Sequence, residues 1–205
     1  MVKRKANRQG GRARKARKVM VPRGLGTKNM VFPIKRTLQW GIPSNTTTNL
    51  QYGARAFFLS DLPVSSDFVN LFDQYRIVSV DMHMCPRVSA NLPTSGNSYS
   101  VFHYALDYTD VTAPTSNEEL YQMSSCKRVN CNGSKDFHIK LKPQAAETYW
   151  SGLTASGYGA AKEGAWINTS SPSVQHYGVK YAWNCNYATQ IDVYITFQLE
   201  FKQPI

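Results

Sequence analysis

Apolar and polar side chains alternate along most of the chain after residue 30, and this pattern predicts β-strands that bury one face. The clearest example is 190–202, QIDVYITFQLEFK, in which every second residue is apolar. Six apolar side chains would face a core, whereas the polar ones between them would point outward. The inward set is Ile191, Val193, Ile195, Phe197, Leu199 and Phe201, and the outward set is Asp192, Thr196, Gln198, Glu200 and Lys202. We expect this strand to be central in its sheet.

Seven further segments have a strand pattern, separated by turn-rich stretches such as IPSNTTTN, NLPTSGN and TASGYGAAKEG. These segments are 31–40, 49–60, 75–86, 99–108, 126–131, 136–141 and 174–183, of which 126–131 is short and polar. The predicted inward residues are Phe32, Ile34, Leu38 and Trp40; Val78, Val80, Met82 and Met84; Phe102, Tyr104, Leu106 and Tyr108; Phe137, Ile139 and Leu141; and Tyr177, Val179, Tyr181 and Trp183.

Helix signals are few and short. One is 65–72, SSDFVNLF, with room for about two turns. The other is 114–123, where Thr115 and Ser116 each precede a glutamate by three residues, as in a capping box. Neither segment is long enough to cover a sheet face, and the glycine-rich 155–166 is interpreted as a flexible surface loop. Eight strands with two short helices predict an all-β sandwich, most simply an eight-stranded jelly roll, and no internal repeat favours a propeller or solenoid.

The charge of the chain is segregated at one end. The first 28 residues contain eleven Lys or Arg and no acidic residue, and the first acid in the chain is Asp61. The rest of the chain contains thirteen basic and thirteen acidic residues, so its formal charge is zero. The whole net charge of +11 therefore lies in the first 28 residues. The sequence predicts a division into a basic arm, 1–28, and an electrically neutral jelly-roll domain, 29–205.

The arm has almost no large apolar residue before Val19, so it cannot offset the entropy of ordering and is expected to be disordered alone. A solvated tail and a nuclear localisation signal are two interpretations, and neither excludes binding of a polyanion through counterion displacement. The candidate nucleic-acid-binding residues are Lys3, Arg4, Lys5, Arg8, Arg12, Arg14, Lys15, Arg17, Lys18, Arg23 and Lys28. No apolar segment follows that would make the arm a secretory signal, and no 18-residue apolar stretch predicts membrane insertion.

Candidate chemistry in the rest of the chain is sparse. The sequence contains no nucleophile elbow, no zinc-protease signature and no phosphate-binding glycine loop, so we expect no enzyme and no cofactor. The four cysteines lack the paired spacing of a structural zinc site and are expected to be reduced. Asp81, His83 and Cys85 share one strand face and are interpreted as a polar outer face or a subunit contact, not as a metal site. Asp107 and Asp110 lie near a strand end, where two carboxylates could bind a cation at a subunit interface.

Two stretches resemble a known family. The segment 71–86, LFDQYRIVSVDMHMCP, is similar to the segment leading into the fourth strand of circovirus-like capsid proteins, in which FDQYRI precedes an alternating strand. The segment 166–183, WINTSSPSVQHYGVKYAW, resembles the late stretch of the same capsids. The order of arm, strands and terminal strand resembles that family over nearly the whole chain. The arm is shorter and less rich in arginine than is typical of circoviruses.

The resemblance implies a capsid protein that forms an icosahedral T=1 shell of about 60 copies and packages single-stranded DNA through its arm. It implies that the protein is found in the virion and, during assembly, in the host nucleus. The implied partners are other copies of the chain, the genome, nuclear import receptors and a host attachment factor. The alternatives are a coat protein of a small satellite-like RNA virus and a non-viral basic nucleic-acid-binding β protein.

Overall fold

The computed structural model describes residues 30–42, 50–87, 100–131, 135–151, 154–160, 164–185 and 189–204. Its strands are β1 (Val31–Ile42), β2 (Gln51–Phe57), β3 (Phe72–Pro86), β4 (Ser100–Leu106), β5 (Lys127–Asn130), β6 (Phe137–Leu141), β7 (Gln144–Ser151), β8 (Thr154–Ala160), β9 (Ile167–Asn168), β10 (His176–Cys185) and β11 (Ile191–Pro204). The helices are α1 (Ser65–Leu71) and α2 (Asn117–Tyr121), and a short 3-10 helix covers Leu59–Asp61. Most of the turn segment 42–49 and all of 91–97 lie outside the described residues. No helix in the described ranges is long and apolar enough to cross a membrane.

The strands form two antiparallel sheets. The first, called the β11 sheet, has the order β1-β11-β3-β6, and β9 pairs with the start of β3. The second, called the β10 sheet, places β10 between β2 and β4, with β5 beyond β4 and the β7–β8 hairpin joined to the first residues of β10. Apart from the β4–β5 and β7–β8 pairs, neighbouring strands in each sheet come from distant parts of the chain. This is the double Greek-key arrangement, so the prediction of a jelly-roll sandwich is confirmed.

The core lies between the two sheets. The six apolar residues of β11 are each at most 1% exposed, and β11 pairs with β1 on one side and β3 on the other. The central position predicted for this strand is therefore confirmed. Across the core, the Phe57 ring meets the Phe197 ring edge-on at 6.0 Å between centroids. The fully buried Trp183 indole donates to Ser100 Oγ at 2.9 Å, so its one polar atom has a partner.

The alternation predicted for β3 is wrong at Val78. Ile77 and Val80 are buried, whereas Val78 is only half-buried. The reason is a β-bulge, since the partners of Gln198 and Leu199 are Ser79 and Ile77, which leaves Val78 as an extra residue. The strand also begins at Phe72, three residues before the predicted start.

One outward residue of β11 is not exposed as predicted. Asp192 is only 7% exposed, because Arg87 and Gln190 cover it. Arg87 Nε lies 2.5 Å from Asp192 Oδ2, and Gln190 Nε2 donates to Asp192 Oδ1 at 2.8 Å. The period of the strand gave the correct face, but the covering side chains come from the ends of neighbouring segments.

The prediction of a loop over the whole of 155–166 is wrong. Residues 155–160 belong to β8, which forms an antiparallel hairpin with β7, and sequence analysis predicted neither strand. The sequence of β8, TASGYGA, has no apolar alternation. Pairing of backbone groups with β7 is independent of side-chain type, so a pattern-based argument misses such a strand.

The short helix α2 does cover part of a sheet face, contrary to the sequence-based prediction. Leu120 is fully buried against Ala105 of β4 and Ala182 of β10, both of which point away from the main core. The predicted cap at the start of this helix is confirmed. The Ser116 side chain accepts the Glu119 N–H, and the Glu119 carboxylate accepts the Thr115 N–H and hydroxyl at 2.7 Å each. Small alanine side chains on the sheet allow the single turn to approach closely.

Candidate nucleic-acid interface

The basic residues predicted to bind nucleic acid all lie outside the described residues. They are Lys3, Arg4, Lys5, Arg8, Arg12, Arg14, Lys15, Arg17, Lys18, Arg23 and Lys28. The description of the chain begins at Met30, whose side chain is 50% exposed, and Val31 follows at 45%. The structure therefore shows the position from which the arm departs.

That position is one end of the β11 sheet. β1 pairs with β11 over its full length, from Val31 opposite Lys202 to Ile42 opposite Ile191. The other side of β1 has no partner strand among the described residues. Twelve paired positions hold β1 against β11, so the arm leaves the sandwich beside a central strand of the β11 sheet.

A cluster of cations around one aromatic ring lies beside this departure point. Lys202 Nζ is 4.3 Å from the centre of the Trp166 ring, and the Arg76 guanidinium is 4.6 Å from it. Arg76 Nε also donates to Glu200 Oε2 at 2.8 Å. We call Arg76, Trp166, Glu200 and Lys202 the arm-exit cluster. Sequence analysis did not single it out, because its members come from three strands or turns and no local pattern connects them.

The backbone before Trp166 depends on a glycine. Gly164 has a φ of +72°, in the left-handed region that other residues rarely adopt. The turn it allows brings Trp166 next to β3 and β11. The glycine in the sequence indicated a turn here, but only the fold shows that this turn places Trp166 next to β3 and β11.

The second polar cluster lies on the outer face of the β11 sheet, where β3 pairs with β6. His83 Nε2 is 2.9 Å from Asp136 Oδ2 and 3.5 Å from Cys85 Sγ. Asp81, which sequence analysis placed with His83 and Cys85, instead accepts from His138 Nδ1 at 2.8 Å. The sequence thus identified the strand face correctly, but it missed Asp136, which precedes β6.

The thiol in this cluster is not an activated nucleophile. Burial raises the pKa of Cys85, and the carboxylates of Asp136 and Asp192 raise it further. Burial likewise raises the pKa of Cys126, and that of Cys131 to about 11. The four cysteines, all within the described ranges, form no disulfide.

The pair Asp107 and Asp110, considered above as a cation site, is occupied by a side chain. Lys180 Nζ lies 2.8 Å from Asp107 Oδ2 and 2.7 Å from Asp110 Oδ1. Burial alone would raise the pKa of Asp107, but hydrogen bonds from Lys180 and Thr109 lower it on balance. The cation between these carboxylates in the single subunit is therefore an ammonium group from β10.

Comparison with known proteins gives a family and a fold. A family model described as circovirus capsid protein matches residues 3–205, a range that includes the whole series of basic residues from Lys3 to Lys28. The solved 60-mer of the BFDV capsid protein is similar with a TM-score of 0.64 and 19% identity, covering 86% of this chain and 95% of that one. No curated protein sequence matches the chain.

More distant capsids share the fold. Tobacco necrosis virus is similar with a TM-score of 0.55 and 10% identity, covering 88% of this chain and 86% of that one. A semi-empty particle of the nodavirus of the prawn Macrobrachium rosenbergii has a TM-score of 0.54 and 10% identity, covering 86% and 95%. At these identities the likeness concerns the sandwich alone.

Proposed function

Because the chain belongs to the circovirus capsid protein family, we propose that it packages a single-stranded DNA genome with residues 1–28 inside a closed T=1 shell. A member of that family is a structural protein of the virion and not an enzyme, as the sequence predicts. The solved BFDV capsid protein forms a 60-mer, and the match covers 95% of that chain. The same number of copies is our proposal for this shell.

The observation that carries the proposal is that the net positive charge lies in a segment separate from the β-sandwich. All eleven basic residues of the arm precede Met30, and no acidic residue accompanies them. The thirteen bases after residue 28 are equal in number to the thirteen acids, and some of them form pairs in the described sandwich, such as Arg76 with Glu200 and Lys180 with Asp107. The arm therefore carries the whole net positive charge of the chain, +11, and is the segment best suited to bind phosphates.

Arms of this kind would bind phosphates without reading sequence. Each bound Lys or Arg releases a counterion, which stabilises the complex at low salt, and phosphate contacts distinguish no bases. The arm has no aromatic residue before Phe32, so it lacks a surface on which unpaired bases would stack. Sixty arms would contribute about 660 positive charges, and mobile cations would neutralise the remaining phosphates of a genome of a thousand or so nucleotides.

The test of packaging is a neutralised arm in the full-length chain. Changing all eleven arm residues to Gln should leave the sandwich folded, since the core includes none of them. We expect shells with little nucleic acid, or shells that assemble less efficiently, measured by the ratio of absorbance at 260 and 280 nm. A chain that begins at residue 29 should give the same result.

The matched control removes positive charge from the sandwich instead. Lys127, Arg128 and Lys140 are exposed in the described structure, and changing them to Gln should leave the nucleic-acid content unchanged. A full nucleic-acid load in shells with the neutralised arm would contradict the proposal. So would an equal loss of load in the control.

A peptide of residues 1–28 tests the binding mechanism directly. Its affinity for single-stranded DNA should fall steeply as salt rises, and DNA and RNA of equal length should bind almost equally. A shallow salt dependence would mean that the contacts are not mainly ionic. A hundredfold preference for one sequence over a scrambled one would mean that the arm reads bases.

The same basic segment supports nuclear delivery. We propose that KRKANRQGGRARKARK, residues 3–18, binds a nuclear import receptor, and that the outer surface of the shell contacts a host attachment factor. Residues 1–28 fused to a fluorescent protein should accumulate in the nucleus, and the fusion with all eleven basic residues changed to Gln should not. Equal distribution of both fusions would contradict this part of the proposal.

A further inference from the structure

Three metal-binding side chains meet on the outer face of the β11 sheet. His83, Cys85 and Asp136 each offer one ligand atom, and these three atoms all lie within 4.8 Å of one another. His83 and Cys85 are two residues apart on β3, so both point to the same face. Asp136 comes from the segment before β6, which pairs with β3 through His83 and His138.

The separations fit a tetrahedral metal. With metal–nitrogen and metal–oxygen bonds of about 2.0 Å and a metal–sulfur bond of about 2.3 Å, tetrahedral ligand atoms lie about 3.3–3.5 Å apart. Cys85 Sγ and His83 Nε2 are 3.5 Å apart, and His83 Nε2 and Asp136 Oδ2 are 2.9 Å apart. The third separation, between Cys85 Sγ and the Asp136 carboxylate, is within 4.8 Å, and rotation of the exposed Asp136 side chain would adjust both of its distances.

The surrounding residues hold the central ligand in its orientation. The His138 ring stacks on the His83 ring at 4.4 Å between centroids with an interplanar angle of 1°. His138 is fixed in turn by its 2.8 Å hydrogen bond to Asp81. Such a support around a ligating histidine raises metal affinity because it reduces the freedom lost on binding.

We propose that His83 Nε2, Cys85 Sγ and Asp136 Oδ2 bind a divalent transition metal, Zn²⁺ by ligand preference, at this junction of β3 and β6. One sulfur, one nitrogen and one oxygen ligand suit Zn²⁺ and Co²⁺ better than Mg²⁺ or Ca²⁺, which take oxygen ligands. When the metal–sulfur bond forms, the thiol proton leaves to solvent. Since the His83 and Asp136 side chains are 36% and 48% exposed, water would supply the fourth ligand in the single subunit.

Bound metal would join two separate parts of the chain. His83 and Cys85 belong to a strand of the core, whereas Asp136 lies at the entry to β6, 51 residues beyond Cys85 in the numbering of the chain. A metal that binds only the folded chain raises its stability in proportion to the logarithm of the metal concentration over the dissociation constant. The site would therefore hold the start of β6 against β3 within the β11 sheet.

Cobalt is the sharpest probe, because a bond between a thiolate and Co²⁺ absorbs in the near ultraviolet. This band is not produced by nucleic acid or by carboxylates that bind cobalt. Full-length protein titrated with Co²⁺ should develop the band to one equivalent, and Zn²⁺ should abolish it. Cys85→Ser should lose the band entirely. Asp136→Asn, which changes the exposed ligand, should weaken Co²⁺ binding by more than about tenfold.

The matched controls keep the fold and the number of thiols comparable. Cys126→Ser removes a thiol of similar exposure that packs beside α2 on the β10 sheet and should keep the full band. His138→Gln should weaken binding by about tenfold while keeping the band, because it removes support and not a ligand. Circular dichroism at neutral pH shows whether each variant retains the β-sandwich.

Several results would overturn the proposal. One is the absence of a thiolate band in the wild-type protein at millimolar Co²⁺. Another is a band that survives Cys85→Ser or disappears in Cys126→Ser. Unchanged affinity in Asp136→Asn would remove Asp136 from the site even if the band itself is present. None of these results depends on whether the arm packages DNA.

Discussion

The two sheets of the sandwich bury their strands in different ways. In the β11 sheet, the inward residues of β11 are buried, while Gln198 on its outer face is exposed and Thr196 is half-buried. In the β10 sheet, six of the seven residues of β4 and nine of the ten of β10 are buried, so both faces are covered. The difference shows that one buried apolar face is enough to build a strand. Whether a helix or loop also covers the outer face decides whether polar side chains there are buried and need charged partners.

The helix α2, which covers part of the outer face of the β10 sheet, explains why polar residues on that face are buried. α2 packs Leu120 on Ala105 and Ala182, which reduces access of water to neighbouring outward residues. Lys180, which follows the same outward face of β10, is 7% exposed and requires the two carboxylates that it contacts. On the β11 sheet the outward Lys140 is 73% exposed, and its contact with Asp81 is 3.8 Å long.

The largest effect should come from placing a charge on the inner face of the β11 sheet. Phe197 is fully buried, so Phe197→Asp leaves a carboxylate with no partner and should cost several kcal/mol, about 4 or more. The matched change Gln198→Asp, on the next residue and the exposed face, should be tolerated by the fold. Soluble expression and the midpoint of thermal unfolding measure both. Equal solubility of the two variants would contradict the assignment of faces.

The outer faces of the two sheets can be compared with one substitution. Lys180→Met leaves Asp107, which is 10% exposed, without its ammonium partner and should cost about 3 kcal/mol. Lys140→Met removes an exposed lysine from the other sheet and should cost at most about 1 kcal/mol. Denaturant unfolding of the two variants tests the contrast. Similar losses would mean that the β10 sheet is no more covered than the β11 sheet.

Acid should weaken the β10 sheet through a buried histidine. Burial lowers the pKa of His176 to about 4, although its hydrogen bonds to the carbonyls of Val174 and Phe57 act in the opposite direction. As pH falls from about 6.5 to about 4, the unfolded chain takes up a proton that the folded chain does not, so about 3 kcal/mol of stability is lost.

His176→Gln tests this acid effect, because it removes the proton uptake. The variant should show a flatter dependence of unfolding free energy on pH across that window. Burial also lowers the pKa of His103, so a part of the slope should remain. An unchanged slope in the variant would exclude His176 as the cause.

The smallest effect concerns the cap of α2. Ser116→Ala removes the side-chain acceptor for the Glu119 N–H and should cost about 1 kcal/mol. Ser116→Asp, which keeps an acceptor, should cost much less. Faster amide hydrogen exchange at Glu119 in Ser116→Ala, but not in Ser116→Asp, would confirm that α2 is held less firmly on the sheet without the cap. Equal exchange in both variants would mean that the cap does not hold α2 on the sheet.

Local patterns in the sequence were enough for the strands that have one polar face. The six apolar residues of β11 and the inward residues of β6 and β1 follow a period of two, which results from the backbone of a strand itself. The capping of α2 by Ser116 and Glu119 could be predicted for the same reason, since both residues lie within one turn. The separation of eleven bases in the first 28 residues from a neutral remainder also needs no fold.

The features missed depend on contacts between distant residues. The bulge at Val78 exists because β3 must match the register of β11, and β8 exists because β7 pairs with it. The arm-exit cluster joins residues 76, 166, 200 and 202, and the candidate metal site joins residues 83, 85 and 136. The periodicity within a single segment cannot predict these contacts between distant residues.

The sequence by itself therefore determined which residues form strands with a buried face, where the charge lies and, through its family, that the protein builds a capsid. The tertiary structure decided which polar residues become buried, which of them meet, and where the arm leaves the sandwich. The physical reason is that side-chain period and charge are properties of a local segment. Burial requires the two sheets to be packed together, and the candidate metal-ligand geometry requires β3 and β6 to pair in one register, so only the folded chain fixes those distances.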